Sequence, residues 1–495
     1  ADVATYAAIF LNEGRPLFED PTTAAAMTGT QSPPAIPEQR GLGWDIDSPY
    51  AYQRGATFPR GGFGHTGWTG TSLWIDPPTQ SILVLMSNRN HPSEDGTVKP
   101  LREAVGTIAG QLAAPSPILS GIDVLARDAF VPLEGLRVGL ITNHTGIDRQ
   151  RRSTIDLLND APNVQLTALF SPEHGIRGTL DHSKIDDSQD PQSGLPIYSL
   201  YKNETRKPTA EQLEGLDALV FDIQDIGTRF YTYIATMGNG IEAAAEHGLK
   251  FYVLDRPNPI DATVVDGPVR EGESAFVAWH DLPIQHGMTA GELAAMFAAE
   301  KSTLADLDLA VIPVENWTRD RLHDDATGLP WVNPSPNMRN LTQAMLYPGV
   351  GLFEFTNLSV GRGTDTPFER IGAPWIDDGE LADTLQRYRL PGLTITPIRF
   401  RPDASVYEGE LCQGVRFAIT DRTVLRPIDL GLAIGQTLVR LYPAHYEFSA
   451  KGNTLLLHPP TLEALKTDAS LHEIRAGWEP ELSEFRERRR KYLRY

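Results

Sequence analysis

The sequence predicts an α/β fold, with a doubly wound parallel sheet in the middle of the chain, and three observations carry that expectation. Apolar runs of strand length alternate with helical segments between residues 137 and 313, the last third of the chain lacks that regularity, and four of the runs lead into an unusual polar stretch. The strand-like runs fall at 137–142, 165–170, 218–222, 250–255 and 309–313. Helical segments lie between them, including 232–247 and 289–300, the second opened by a threonine cap with Glu292 three residues on.

Around this centre, residues 1–112 open with a helix, pass through a turn-rich stretch and reach an apolar strand at 81–87 and a helix over 98–112. Ala113-Ala-Pro-Ser-Pro117 reads as a linker, because two prolines block helix continuation and favour extended backbone. The sheet domain then occupies 118–338, and 339–495 forms a second, smaller α/β lobe over its rim.

Composition narrows the function. A chain of 495 residues, 41% apolar and 22% charged, is soluble globular protein of more than one domain. Its formal charge of −20 repels phosphate backbones and anionic lipid, which argues against nucleic acid as a partner. The one basic run, Arg486-Glu-Arg-Arg-Arg-Lys491, suits the solvated end of a terminal helix. A single cysteine, Cys412, excludes an internal disulfide framework and thiolate metal clusters. No apolar run is long enough to span a membrane, and the first residues resemble the middle of a helix rather than a signal peptide, so the chain is expected to begin inside a domain.

Ligands of parallel sheets sit at the carboxyl ends of the strands, which places four loops on one rim. They are Thr142-Asn-His-Thr-Gly146, Ser171-Pro-Glu-His-Gly175, Asp222-Ile-Gln-Asp-Ile-Gly227 with Arg229, and Asp255-Arg-Pro-Asn-Pro259. Glu173 stands between a proline and a histidine after a buried strand, where partial desolvation raises a carboxyl pKa and suits it to donate a proton near neutral pH. Capping the next helix or pairing with Arg177 would place it equally well. Asp222 and Asp225 flank Gln224 and would complete the pair of carboxylates that glycoside hydrolysis uses, although an Asp at a strand end also fixes its own loop.

Arg229, Arg256 and Arg362 each offer a bidentate partner, either to a substrate carboxylate or to one of these acids. Asn258, Asn337 and Asn357 lie in Pro-rich or Gly-rich loops, where an amide reads sugar hydroxyl or acetamide groups or simply makes a turn. Trp279, Trp317, Trp331 and Trp375 are sugar-stacking faces or packing residues. Asn143, His144, His174, Gln224 and Glu354 complete the expected substrate contacts. The histidines lack partners at metal-ligand spacing, no Gly-x-Gly-x-x-Gly follows the first strand, and Gly361-Arg-Gly363 is too short for a phosphate loop. Neither a metal nor a nucleotide cofactor is expected.

At these residues the middle and last regions resemble the NamZ-like exo-β-N-acetylmuramidases. The resemblance rests on Gly139-Leu-Ile-Thr-Asn-His-Thr-Gly146, Phe170-Ser-Pro-Glu-His-Gly-Ile-Arg-Gly178, Gly194-Leu-Pro-Ile-Tyr-Ser-Leu-Tyr201, residues 221–233, Leu254-Asp-Arg-Pro-Asn-Pro259, His286-Gly-Met-Thr-Ala-Gly-Glu292, Pro334-Ser-Pro-Asn-Met338 and Thr356-Asn-Leu-Ser-Val-Gly-Arg-Gly-Thr364. It implies a Rossmann-like catalytic domain, an ancillary C-terminal domain, a cleft between them and Glu173 as general acid/base. It also implies removal of N-acetylmuramic acid from the non-reducing end of peptidoglycan fragments, a substrate found in the periplasm or outside the cell, with a cytoplasmic recycling role left open. Asp222, Asp225, Glu354 and the substrate's own acetamido group all stay open as the second catalytic group.

The first hundred residues resemble the C-terminal part of the class C β-lactamase and esterase group. Gly64-His-Thr-Gly67 stands in the place of that group's Lys-Thr-Gly element on an edge strand, and Trp68 to Pro77 continue the match. A nucleophilic Ser-x-x-Lys belongs upstream of such a segment. Ser199-Leu-Tyr-Lys202 fits the letters but lies downstream, so the segment is read as a partial serine hydrolase without its nucleophile. An amidase or esterase with an upstream nucleophile and a non-catalytic muropeptide-binding protein are the alternative readings.

Overall fold

The computed structural model describes residues 2–495 except 13, 34–35, 60, 94, 114–116, 173–175, 177–186, 202–205, 324–326 and 448–452. The chain divides into two compact units, Ala1–Ser116 and Pro117–Tyr495.

The first unit is an antiparallel sheet of five strands in sequence order, Gln39–Arg40, Asp45–Asp47, Phe63–Thr66, Ser72–Asp76 and Ser81–Leu85, with helices Asp2–Leu11, Pro21–Thr28 and Lys99–Ala113. Asp76 closes the hairpin between the last two strands by accepting from Thr79 N at 3.0 Å and Thr79 Oγ1 at 2.6 Å. Helix Lys99–Ala113 rests directly on backbone, because a Cβ on Gly106 would stand 2.0 Å from Arg54 O and one on Gly110 would stand 2.2 Å from Phe58 N. The strand carrying His65 and Thr66 is third of five, which corrects the edge position expected for it. His65 itself is occupied, Nδ1 with Thr66 O at 2.9 Å and Nε2 with Arg40 Nη2 at 3.1 Å.

The second unit is built on a parallel sheet. Its strands are β1 (Arg137–Thr142), β2 (Gln165–Ser171), β3 (Pro196–Ser199), β4 (Ala218–Asp222), β5 (Lys250–Leu254) and β6 (Leu309–Ile312). They lie in the order β6-β5-β4-β1-β2-β3, with Ser188–Gln189 antiparallel on the outer edge of β3. β3 is the strand that periodicity missed, being only four residues long and opened by a proline.

Alternate side chains of each strand enter opposite cores. Ile141, Phe170, Phe221 and Val253 face one, with helices Tyr233–His247 and Ala290–Glu300. Leu140, Leu169, Val220 and Leu254 face the other, with helices Gly121–Arg127 and Thr154–Asn159. Two covered faces explain why these strands read as unbroken apolar runs. The chain leaves β1 toward β2 on one side and returns to β4 on the other, so the strand order reverses between β1 and β4, where doubly wound sheets open a crevice.

The C-terminal region adds a three-stranded antiparallel sheet, with Cys412–Ile419 between Arg370–Ala373 and Leu393–Phe400, and helices Leu341–Val350, Asp378–Gln386 and Pro427–Leu441. Its side chains join the first of the two cores; Phe353, Phe417, Leu432 and Trp478 belong to the same cluster as Phe221 and Phe251. The final helix, Glu479–Arg489, ends in the expected basic turn, with Arg490 exposed beyond it, but Arg489 turns inward. Arg489 Nη1 donates to His286 O at 3.2 Å and Gly287 O at 2.8 Å, so this cation holds a loop of the sheet region.

Candidate active site

The loops after β1, β4 and β5 meet at the switch point and tie to one another. Thr145 Oγ1 donates to Asn143 Oδ1 at 2.6 Å and accepts from Gln224 N at 2.9 Å, joining the first two loops. Gln224 Nε2 donates to Asp225 O at 2.7 Å and Pro257 O at 2.9 Å, reaching the third. Asp222 ends β4 fully buried, gripped by Arg256 Nε at 2.5 Å and Nη2 at 2.9 Å, and also accepts from Thr154 Oγ1. Arg256 Nη2 further donates to Ile147 O at 2.9 Å, so one guanidinium spans all three loops.

Asp225 differs from Asp222 in what surrounds it. Its Oδ2 accepts from Gly227 N at 2.7 Å, but its buried Oδ1 has no hydrogen-bond partner among the described residues. The turn that makes this possible needs glycine, since Gly227 has φ +80° and a Cβ there would lie 2.5 Å from Asn258 Oδ1. His286 Nε2 lies 3.8 Å from Asp225 Oδ2. Burial pushes Asp225 up to about 7, against smaller opposing contributions from the Gly227 and Ile226 amides, and pushes His286 down to about 3, which keeps that imidazole neutral. His286 Nδ1 accepts from Met288 N at 3.2 Å, and this contact assigns the ring proton to Nε2, on the side of Asp225.

The remaining expected residues sort by their partners. Arg229 is 1% exposed and donates to Pro268 O, Leu282 O, Leu455 O and Leu456 O at 2.7–3.0 Å, so it pins backbone inside the protein. This corrects its expected role as a substrate contact. Asn258 makes the turn, accepting from Ile260 N at 3.1 Å and donating to Met288 O at 3.0 Å. Asn357 ties its loop to residues 445–447 through His445 O at 2.7 Å and Glu447 N at 2.9 Å. His144 Nε2 pairs with Asn333 O at 2.6 Å, and Tyr233 OH donates to Pro334 O at 2.5 Å, so the Pro-rich loop that also carries the buried Asn337 docks on the rim. Buried Asn143 keeps an unpartnered Nδ2 among the described residues. Glu173 and His174 lie outside the described residues.

Glu354 accepts from Tyr347 OH at 2.7 Å and forms an ion pair with Arg362, whose side chain keeps 38% of its surface. Tyr347 packs against Phe230 and Tyr231 with ring centroids 5.3 and 5.9 Å apart, bringing this pair beside the segment that follows β4. Of the tryptophans, Trp279 and Trp317 are buried, with Trp279 Nε1 donating to Asn239 Oδ1 at 2.9 Å. Trp375 stacks on His445, and Trp331 lines a cavity of about 20 Å³ with Thr145, Gln224, Arg256 and His323, room for about one water. A wider groove of about 770 Å³ lies between helices Asp378–Gln386 and Pro427–Leu441, and none of the rim residues lines it.

Among the described residues one histidine and carboxylate group has metal-like spacing, His458 with Glu271 and Glu481 within 4.8 Å of one another. His458 Nδ1 accepts from Thr461 N at 3.2 Å, so the neutral ring carries its proton on Nε2. Nε2 therefore presents N–H, not a lone pair, to the carboxylates 3.9 and 4.0 Å away.

Residues 138–342 match the family model for the N-terminal part of the exo-beta-N-acetylmuramidase NamZ, and residues 345–495 match that for its C-terminal part. The chain belongs to the NamZ exo-β-N-acetylmuramidase family, a family of glycoside hydrolases. It is 43% identical over 389 residues to the peptidoglycan beta-N-acetylmuramidase NamZ of Bacillus subtilis, a match covering 78% of this chain and 93% of the relative. Two solved DUF1343 family proteins of Bacteroides fragilis are similar in fold to this chain. One is 39% identical with a TM-score of 0.71, covering 76% of this chain and 99% of its own, and the other is 30% identical with a TM-score of 0.63, covering 77% and 99%. Residues 1–107, ahead of the NamZ region, match the beta-lactamase family model.

Within the NamZ region, the sequence reading gave no individual role to His286, Tyr231, Tyr233 or Tyr347. The Phe230-Tyr-Thr-Tyr233 run carried a signal, because three aromatic rings in four residues after a strand end are more than a turn requires. His286 opens one of the stretches that carry the resemblance, but local spacing assigns it no role, because it reaches Asp225 through the return of the strand pair Asp266–Val269 and Pro283–Gln285.

Proposed function

We propose that this chain hydrolyses the glycosidic bond of an N-acetylmuramic acid at the non-reducing end of peptidoglycan fragments, with Glu173 as general acid/base and Asp225 as the second carboxylate. The observation that carries the choice of Asp225 is its buried Oδ1, which has no hydrogen-bond partner among the described residues, at the switch point of the sheet. Asp222 is neutralised by Arg256, and Glu354 is paired with Arg362 and accepts from Tyr347 OH. Glu173 follows the end of β2 by two positions, and β2 lies next to β1.

In this reading the protonated Glu173 gives its proton to the leaving oxygen as the glycosidic bond breaks, then as carboxylate takes one from the incoming water. The ionised Asp225, in dry surroundings, faces the positive charge that builds on the sugar ring. Arg362 is the cation suited to the lactyl carboxylate of muramic acid, being the most exposed of the three arginines singled out from the sequence. The substrate places the working protein in the periplasm or outside the cell. No helix among the described residues is long and apolar enough to cross a membrane.

The test is Glu173→Gln assayed on a chromogenic N-acetylmuramic acid glycoside. Turnover falls by about 10²-fold or more, the size of a lost general acid, while melting temperature and ligand binding stay unchanged. A variant retaining over half of wild-type turnover overturns the assignment.

A further inference from the structure

The loop that follows β5 is held by a residue from the far end of the sequence. Asp255 is fully buried and takes four hydrogen bonds. Oδ1 accepts from Arg256 N at 3.0 Å and Gly291 N at 2.8 Å, and Oδ2 accepts from Thr289 Oγ1 at 2.7 Å and Tyr495 OH at 2.7 Å. Three donors belong to Asp255's own loop or to the start of helix Ala290–Glu300; the fourth is 240 positions away. Tyr495 is itself well placed. Its hydroxyl accepts from Val314 N at 2.9 Å, its ring meets Trp317 edge-on at 5.3 Å, and its carbonyl accepts from Arg319 Nε at 3.1 Å.

We propose that Tyr495 is a positioning residue for the sheet rim: through Asp255 it fixes the backbone of Arg256, and with it the guanidinium that spans the loops after β1, β4 and β5. A carboxylate shut away from water keeps its charge only while enough donors face it. Burial pushes Asp255 up to about 6, and Glu292 adds to the rise, while the donors from Tyr495, Gly291 and Thr289 oppose it. Of the charged groups nearby, Arg319 pairs with Glu292 and Arg256 is spent on Asp222, so neither replaces the hydroxyl. Without it Asp255 takes up a proton nearer neutral pH. The proton settles on Oδ2, the oxygen that lost the hydroxyl, so Oδ2 donates where it previously accepted, and Oδ1, now the oxygen of a neutral carboxyl, holds the Arg256 and Gly291 amides more weakly.

The direction with pH follows. Because the folded pKa stands above the ordinary carboxylate value, the stabilising effect of protonated Asp255 is fully present near pH 4 and is lost as pH rises through about 6. Removing the hydroxyl pushes the folded value further up, so the variant's melting deficit is small in acid and grows from about pH 6 to 8.

The experiment compares the full chain with Tyr495→Phe, which keeps the ring on Trp317. Melting temperatures are read from pH 4 to 9, and kcat and KM on the muramic acid glycoside over the same range. The kinetic half rests on the function proposed above. The expected result is a melting deficit that grows with pH, and a kcat lowered by about 3- to 10-fold near pH 6–7 that recovers above pH 8, with KM within about twofold. A melting deficit that is the same at every pH, or an unchanged kcat in an active protein, overturns the proposal. A wild-type chain that fails to turn over the muramoside sinks the proposed function instead, and the melting curves alone then decide the Tyr495 contact.

Discussion

Arg256 and Asp222 face each other through two parallel hydrogen bonds, Nε to Oδ1 at 2.5 Å and Nη2 to Oδ2 at 2.9 Å, with side chains 8% and 0% exposed. The pair cancels its own charge and welds β4 to the loop after β5. Breaking such a pair from one side strands the other charge in a dry interior, which costs about 3–5 kcal/mol. Arg256→Ala is therefore expected to lower unfolding free energy by that amount in urea titration, and to lower activity on muramic acid and glucosamine glycosides together. Loss of the first activity alone, with stability intact, would show that Arg256 reads the lactyl group.

Asp225 should set an acid limb. Its folded pKa near 7 is above the ordinary value, so its protonated form stabilises the fold below about pH 4, and that contribution is lost as pH rises through about 7. If the ionised form works on substrate, kcat/KM climbs over the same interval. Asp225→Asn is expected to lose most activity and to gain stability relative to wild type as pH increases from 4 to 8. A variant with an unshifted wild-type pH profile removes Asp225 from the chemistry.

Arg362→Ala tests sugar recognition. One charged, bidentate contact is worth about 1.5–3 kcal/mol, so the variant should use a muramic acid glycoside roughly tenfold to a hundredfold less well, with residual glucosaminide activity barely changed. Equal losses on both sugars would refute a carboxylate-reading role. Because Arg362 also pairs with Glu354, the melting temperature of the variant should be recorded alongside.

The first unit is expected to remain unlabelled by a penicillin-type acylating probe. His65 has both ring nitrogens engaged, and Ser48 and Ser87 are held by Asp45 Oδ2 at 2.7 Å and Gly70 O at 2.7 Å. Mass spectrometry that finds a covalent adduct on any serine of residues 1–112 would overturn this.

The parallel sheet was legible because both its faces are covered, which makes each strand a solid apolar run, and because Thr289 with Glu292 forms a capping box. β3 escaped because four residues opened by a proline carry too little pattern. At the rim, strand ends identified the right loops but not what each charge does there. Arg229, Arg256 and Arg362 look alike in sequence, yet one holds carbonyls, one holds a carboxylate and one keeps a third of its surface. The partners of Arg229 and Arg256 come from segments tens to hundreds of residues away, which local spacing does not encode. The same holds for Tyr495, whose partner Asp255 lies 240 positions away.

Arg229 sets a limit on how this protein can be divided. Two of its carbonyl partners, Pro268 and Leu282, precede the border between the two family matches at 342 and 345, and two, Leu455 and Leu456, follow it. Burial pulls its guanidinium down to about 9, so even with four acceptors the charge is held at some cost. A fragment cut at that border would keep the cation and forfeit half of what surrounds it. The two family matches thus lie within one compact unit, and an expression design that omits the second would leave Arg229 in the first without two of its four carbonyl acceptors.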